Sequence, residues 1–309
     1  MLSLRKNSSG GAVGLDIDGR YLAAAQVEGG RVVRGVSLEL PTGLVADGEV
    51  VNRDGLAEAL KNFVTETGLP KSVRLGVANQ QIVVRVVELP RIEDEKQRDA
   101  AVRFQAAEAI AMPLDEAVLD HQVAGYNEAP DGSPRMQVVV VAARRSMIEA
   151  LLEAAKQAGL KPEGIDLDAF ALVRMLAVAT DGMPEQSARV YCHLGGVSNL
   201  AIAVGSTCLF TRPLAAVWDE EGAGARLADE IRLSIDYYMT QPQAQPVGEI
   251  VLSGPGSADE ELVESLGVHL GMPVRVAYPL GGLDVSALTA ADDPHRFTVA
   301  AGLSLGATA

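Results

Sequence analysis

Residues 12–27 read AVGLDIDGRYLAAAQV, an apolar run that carries two carboxylates, Asp16 and Asp18, just before Gly19. That pattern suits an anion site. A glycine turn lets backbone N–H groups approach phosphate oxygens. A carboxylate beside it can hold a hydrated Mg2+ through oxygen ligands, which makes Asp16 the metal candidate. Residues 191–204, YCHLGGVSNLAIAV, offer a second such turn in Gly195 and Gly196, with hydrogen-bonding groups in Ser198 and Asn199. Here His193 stands where Asp16 stands in the first, and imidazole is a poor ligand for a hard cation. A third turn, Gly254-Pro255-Gly256, follows the strand-like EIVLSG and can lie along an uncharged base. Asp259, Glu260 and Glu261 complement the dipole of the next helix and disfavour a phosphate there. Each turn also has a plainer reading: Asp18-Gly19 as a hairpin turn, Gly254 to Gly256 as a strand-to-helix connection.

Spacing argues against other site chemistry. Cys192 and Cys208 form no CxxC and no regular framework, which excludes a disulfide scaffold or a zinc site. Cys192 and His193 are neighbours on one strand and face opposite sides. His121, His269 and His295 fall at no metal-ligand spacing.

The elements that position these turns are readable from periodicity. AVGLDI, YLAAAQV and RVVRGVSLEL form a meander of strands broken at Asp18-Gly19 and Gly29-Gly30. A helix follows, with Asp54 expected as its N-cap, Leu56, Leu60 and Phe63 on its buried face, and Gly68 and Pro70 as its stop. The same β-β-β-α plan returns from residue 188, ending in a helix over 222–240. Two lobes of like architecture would place their hairpin turns on opposite walls of one cleft. Between the copies lie strands VRLGVAN and IVVRVVELP, a helix over about 93–110, the apolar strand MQVVVVAA, and a helix with Ser146 and Glu149 as a capping box. Ser257 and Glu260 are expected to cap the helix after the third turn, and FTVAAGLSLGA forms a small-residue helix at the end.

The 309 residues are 48% hydrophobic, enough for a buried core across two lobes. Acidic residues outnumber basic ones 41 to 26 and the net charge is −15, which excludes a nucleic-acid partner. The N-terminal MLSLRKNSSGG lacks the apolar core of a signal peptide, and VVVVAA is too short to span a bilayer. A soluble cytoplasmic protein is expected.

Longer strings carry a family resemblance. VVRVVELPRIEDEKQRDAAVRFQAAEAIAMPLDEAVLDHQV, QVVVVAARRSMIEALLEAAKQAGLKPEGIDLDAFALVR and VLSGPGSADEELVESLGVHLGMPVRVAYP resemble the PilM family of type IV pilus assembly proteins. The echoes include the strand end Arg85 to Pro90, MPLDEAVLD from Met112 to Asp120, and AGLKPEGIDLDAFAL. The resemblance implies an actin-like ATPase (ribonuclease H-like) α/β fold: a first lobe over 11–73 with 159–187, a second over 188–309, and a helical subdomain near 216–248. The stretch 74–158 would be the small inserted subdomain that distinguishes PilM and the division protein FtsA from actin. It also implies a nucleotide site at Asp16, Gly19, Gly195, Gly196, Ser198, Gly254 and Gly256, with ATP and Mg2+ as cofactors. The implied partner is the N-terminal tail of a PilN-like membrane protein, held in a groove to which Asn79 and Arg85 are the candidate contributors. Pilus motor ATPases, platform proteins and a second copy of the chain are further implied partners. The location would be the inner face of the cell membrane, reached through the partner.

The chain departs from the family's site pattern. Where the family resembles D-I-G-S-x-x-x-K, this sequence has Asp18 for the glycine and Ala23 for the lysine, and His193 replaces the acid of the second hairpin. An added carboxylate beside a triphosphate costs on the order of 1 to 4 kcal/mol per charge pair. The expectation is therefore an adaptor of pilus or related secretion assembly with a degenerate nucleotide site. An active Mg-dependent ATPase and an FtsA-like filament protein are the alternatives.

Overall fold

The computed structural model describes residues 12–177, 187–289 and 293–306. The polar N-terminal stretch and the last residues of the small-residue tail, on which two expectations rested, lie outside these.

The first meander is β1 (Val13–Ile17), β2 (Tyr21–Glu28) and β3 (Arg31–Glu39), followed by the short pair β4 (Val45–Ala46) and β5 (Glu49–Val50). Helix α1 (Arg53–Thr67) then crosses to β6 (Ser72–Val77). Its N-cap is Asn52, whose side chain accepts from Gly55 N, and Asp54 lies inside the first turn instead. Gly68 closes the helix in the left-handed conformation at φ 64. Asn52→Ala is expected to cost about 1 kcal/mol, seen as a lower urea midpoint with an unchanged slope.

The inserted unit is β7 (Val83–Pro90), α2 (Glu95–Ala109), β8 (Ala117–Glu128) and β9 (Pro134–Arg144), with its three strands ordered β7-β9-β8. It is narrower than 74–158. β6 lies between β1 and the later strand β10 (Lys161–Leu167), and α3 (Arg145–Gln157) packs Ile148, Leu151 and Ala155 into the first-lobe core. The VVVVAA run is explained by burial on both faces. Val138, Val140 and Ala142 meet α2, while Val139, Val141 and Ala143 join the first-lobe core. The capping box at Ser146 does not form, because β9 pairs to its last residue and runs straight into α3, leaving Ser146 within the first turn. Helix α4 (Asp168–Leu176) follows β10.

The second copy comprises β11 (Ala188–His193), β12 (Asn199–Val204), β13 (Thr207–Pro213), α5 (Ala223–Met239), β14 (Val247–Ser253), α6 (Glu260–Leu270), β15 (Val274–Val276) and α7 (Thr298–Leu305). Asp259, rather than Ser257, caps α6 through Leu262 N. Both five-stranded sheets have one order, β3-β2-β1-β6-β10 and β13-β12-β11-β14-β15, so the repeat seen in sequence is a repeat of topology. In each, the parallel strands are joined by helical crossovers, as parallel pairing requires.

Alternation along the strands assigns two faces. Leu22 and Ala24 face α1 and α3, whereas Ala23, Ala25 and Val27 face a core shared with Tyr191, Ala201 and Ala203 of the second sheet. Helices α4 and α7 fill that shared layer and cross the division between lobes. α4 packs on β11, β12 and β13, and α7 packs on β1, β2 and β6. The two hairpin turns therefore meet above a common core.

Candidate functional site: the cleft between the two hairpins

The structure brings the first and second hairpins into direct contact. Asp18 Oδ1 accepts from Arg20 N at 2.9 Å and from Tyr21 N at 2.7 Å. Its Oδ2 accepts from Gly196 N, across the cleft, at 2.8 Å. Gly196 is needed for this approach, because a Cβ there would stand 2.7 Å from Asp18 Oδ1 and closer still to its carbonyl oxygen. Gly19 takes φ 88, as the tight turn demands.

Gly195 lies beside Asp18 and His193. Ser198 is buried and its Oγ has no hydrogen-bond partner. Gly254 and Gly256 sit against the second hairpin, with Gly256 N donating to Leu194 O at 3.0 Å. Gly19, Gly195, Gly196, Gly254 and Gly256 thus lie around the contact between the two hairpins.

Carboxylates crowd the floor of the cleft. Asp166 is the penultimate residue of β10 and Asp168 opens α4, and neither was singled out from the sequence. The signal was present in the string IDLDAF, two acids at the carboxyl end of a strand feeding a helix, where α/β ligand sites gather. Arg174 pairs with Asp166 at 2.8 Å and donates to Gly302 O at 2.7 Å. Asp168 Oδ1 is buried without a partner. Burial, then the charges of Asp166 and Asp18, push Asp168 up to about 8. Burial, then Asp168 and Asp18, raise Asp16 well above the usual carboxylate range. Burial lowers His193 to about 4, so its ring is neutral beside Ser253 Oγ at 3.1 Å.

The Gly196 N–H that faces the first hairpin is taken by Asp18, and the recess lined by Asp18, Gly76, Ala78, Asp168 and Val197 holds about 20 Å³. That is room for water. Among the described residues no group of three or more His, Cys, Asp or Glu side chains could hold a metal ion. Cys192 and Cys208 are free and buried.

The two candidate groove residues separate. Asn79 is buried and lines a small recess with Val77, Ile82, Leu167, Asn199 and Thr211, between the base of the inserted unit and the second sheet. Its side chain also shapes the local loop, donating to Asp47 O at 2.6 Å and accepting from Gln81 N at 2.7 Å. Arg85 is not among the residues lining that recess. It lies on β7, where it donates to Val84 O.

Two sheets of one order, an α4–α7 layer between them and paired hairpins over a cleft make this the actin-like ATPase fold. MreB5 of Spiroplasma citri bound to ADP aligns over 95% of this chain and 94% of its own, with a TM-score of 0.51 and 10% identity. The cytoplasmic domain of EpsL, an inner membrane component of the type II secretion system of Vibrio cholerae, aligns over 95% and 94%, with a TM-score of 0.50 and 12% identity. A PilM–PilN type IV pilus biogenesis complex matches over 96% of this chain and 98% of its own, with a TM-score of 0.80 and 23% identity. The model of the type IV pilus assembly protein PilM family matches residues 20–212, and the chain belongs to that family.

Proposed function

We propose that this protein is an adaptor of the type IV pilus, or of a related secretion machine, that captures the N-terminal tail of a PilN-like membrane protein. The family match carries the reading, because it runs without a break from the start of β2 through the inserted unit and the second hairpin into β13. Among the described residues no helix is long and apolar enough to cross a membrane. The partner's tail holds the adaptor at the inner face, where it organises platform proteins and motor ATPases and associates with further copies of itself. An extended tail would lie across the mouth of the recess beside Asn79, itself only about 10 Å³, with backbone bonds fixing its register. The nucleotide site is degenerate in this reading, which Asp18 at the Gly196 N–H and the missing second-hairpin acid support.

A labelled peptide of the PilN tail from the same genome tests the proposal by fluorescence anisotropy. Saturable binding is expected, unchanged by ATP–Mg2+. Thr211→Arg, which fills the recess, is expected to weaken it about tenfold, or about 1.4 kcal/mol. A peptide that fails to bind sinks the adaptor reading. Brisk Mg-dependent ATP turnover abolished by Asp16→Ala would establish the ATPase alternative instead.

A further inference from the structure

The carboxylate of Asp18 is held as a bound anion would be. Three backbone N–H groups, from Arg20 and Tyr21 on one hairpin and Gly196 on the other, converge on its two oxygens. Such a nest of N–H donors is a general anion site, and without the side chain all three donors lose this acceptor at the mouth of the cleft. The two lobes contribute to one seat, so whatever occupies it ties them together.

A second set of contacts covers the same mouth. The segment between β13 and α5 carries Trp218 and Asp219. Asp219 receives both terminal nitrogens of Arg20, at 2.6 and 3.0 Å, across the cleft. The Trp218 ring lies against Gly256, where a Cβ would come within 2.7 Å of it. Its indole Nε1 is buried without a partner, an unsatisfied donor that penalises the closed arrangement and lets it be released.

We propose that Asp18 is an intramolecular occupant of a phosphate-class anion seat, strapped in by Trp218 and Asp219, so that the lobes close without a ligand. The inference rests on the degenerate-site reading above and gives it a mechanism. An incoming phosphate group has to displace the Asp18 side chain from these three donors. Removing Asp18 frees the donors and takes away the carboxylate beside them.

The test uses the full chain and its single tryptophan as reporter. Sodium triphosphate and ATP–Mg2+ are titrated separately into wild type, Asp18→Gly and Asp219→Asn, following Trp218 emission and thermal midpoint. Wild type is expected to respond to neither at millimolar concentration. Asp18→Gly is expected to bind triphosphate saturably, at least tenfold more tightly than wild type. If ATP–Mg2+ matches that gain, the seat reads phosphate whether free or nucleotide-borne; a gain confined to ATP–Mg2+ overturns the anion seat. Should Asp18→Gly fail to fold, Asp18→Asn, similar in shape and uncharged, replaces it with the same expected direction. Asp219→Asn is expected to shift Trp218 emission to longer wavelength, and unchanged emission overturns the strap. Tight ATP binding by wild type overturns both this inference and the degenerate-site reading. Silence in both wild type and the Asp18 variant overturns this inference alone.

Discussion

Gly302→Ala is expected to separate the two lobes' shared core and destabilise the protein by about 3 kcal/mol or more, lowering the thermal midpoint on the order of 10 °C. Gly302 lies where α7 crosses α4, and a Cβ there would stand 2.7 Å from the Ala171 carbonyl carbon and closer still to its oxygen. The obstacle is backbone, which no rotamer change can move. Gly14 on β1 makes the same demand from the other side of α7, since its Cβ would meet Ser304 N at 2.6 Å and the Ala300 carbonyl oxygen. The close approach is secured by polar contacts that fail once the helix retreats. Arg174 donates to Gly302 O and Arg74 to Leu303 O, each at 2.7 Å, while Ser304 Oγ donates to Ala12 O and accepts from Val27 N. Gly267→Ala is the matched control. It lies within α6 with nothing inside 4 Å of its Cβ, so the better helix former should stabilise by about 0.5 to 1 kcal/mol. Equal midpoint losses in the two variants would show that the helix crossing is not what holds the layer.

The contrast between these two glycines marks what a sequence reveals. Local patterns were legible: β-type apolar stretches between glycine turns found both meanders and their hairpins, because each signal depends only on chain neighbours. The facing of the two hairpin turns was legible through the repeat of one topology, and their contact is the Gly196 N to Asp18 hydrogen bond. What escaped was set by packing between distant segments. Nothing near Gly302 distinguishes it from Gly267, and only Ala171, far away in the chain, makes it indispensable. Asn52 displaced Asp54 as the cap by accepting from Gly55 N, and Ser146 lost its role because strand pairing up to Arg144 fixed where α3 could begin. Trp218 and Asp219 carried no motif, since their partners Gly256 and Arg20 belong to other elements. Asp168 was readable as a polar residue at a strand end, but its ionisation depends on burial and on the charges of Asp166 and of Asp18, the latter brought in by the fold.

That ionisation gives the second large effect. Asp168 titrates near 8 in the folded protein against an ordinary 3.8, because burial and the charges of Asp166 and Asp18 outweigh the helix N-terminus that favours its anion. Below the unfolded value both states are protonated and the group's contribution is complete. Between about 4 and 8 the native state keeps a proton that the unfolded chain has released, so stability falls as pH rises. Each unit of separation is worth about 1.4 kcal/mol, several kcal/mol in all. His193 acts in the opposite sense: lowered from 6.5 to about 4, it costs stability only as pH falls below its unfolded value. The interval from about 7.5 to 9, a unit above that value, is therefore nearly free of its slope and isolates the carboxylates. Wild-type stability, measured by urea unfolding across that interval, is expected to decline with pH. Asp168→Asn should flatten much of the decline and exceed wild type above pH 8, leaving a residual slope from Asp16, whose shift has the same sign. A variant with an undiminished slope would place the bound proton elsewhere. In that case the charge at the floor of the cleft, which an incoming phosphate must face, would be larger at neutral pH than the buried pair allows.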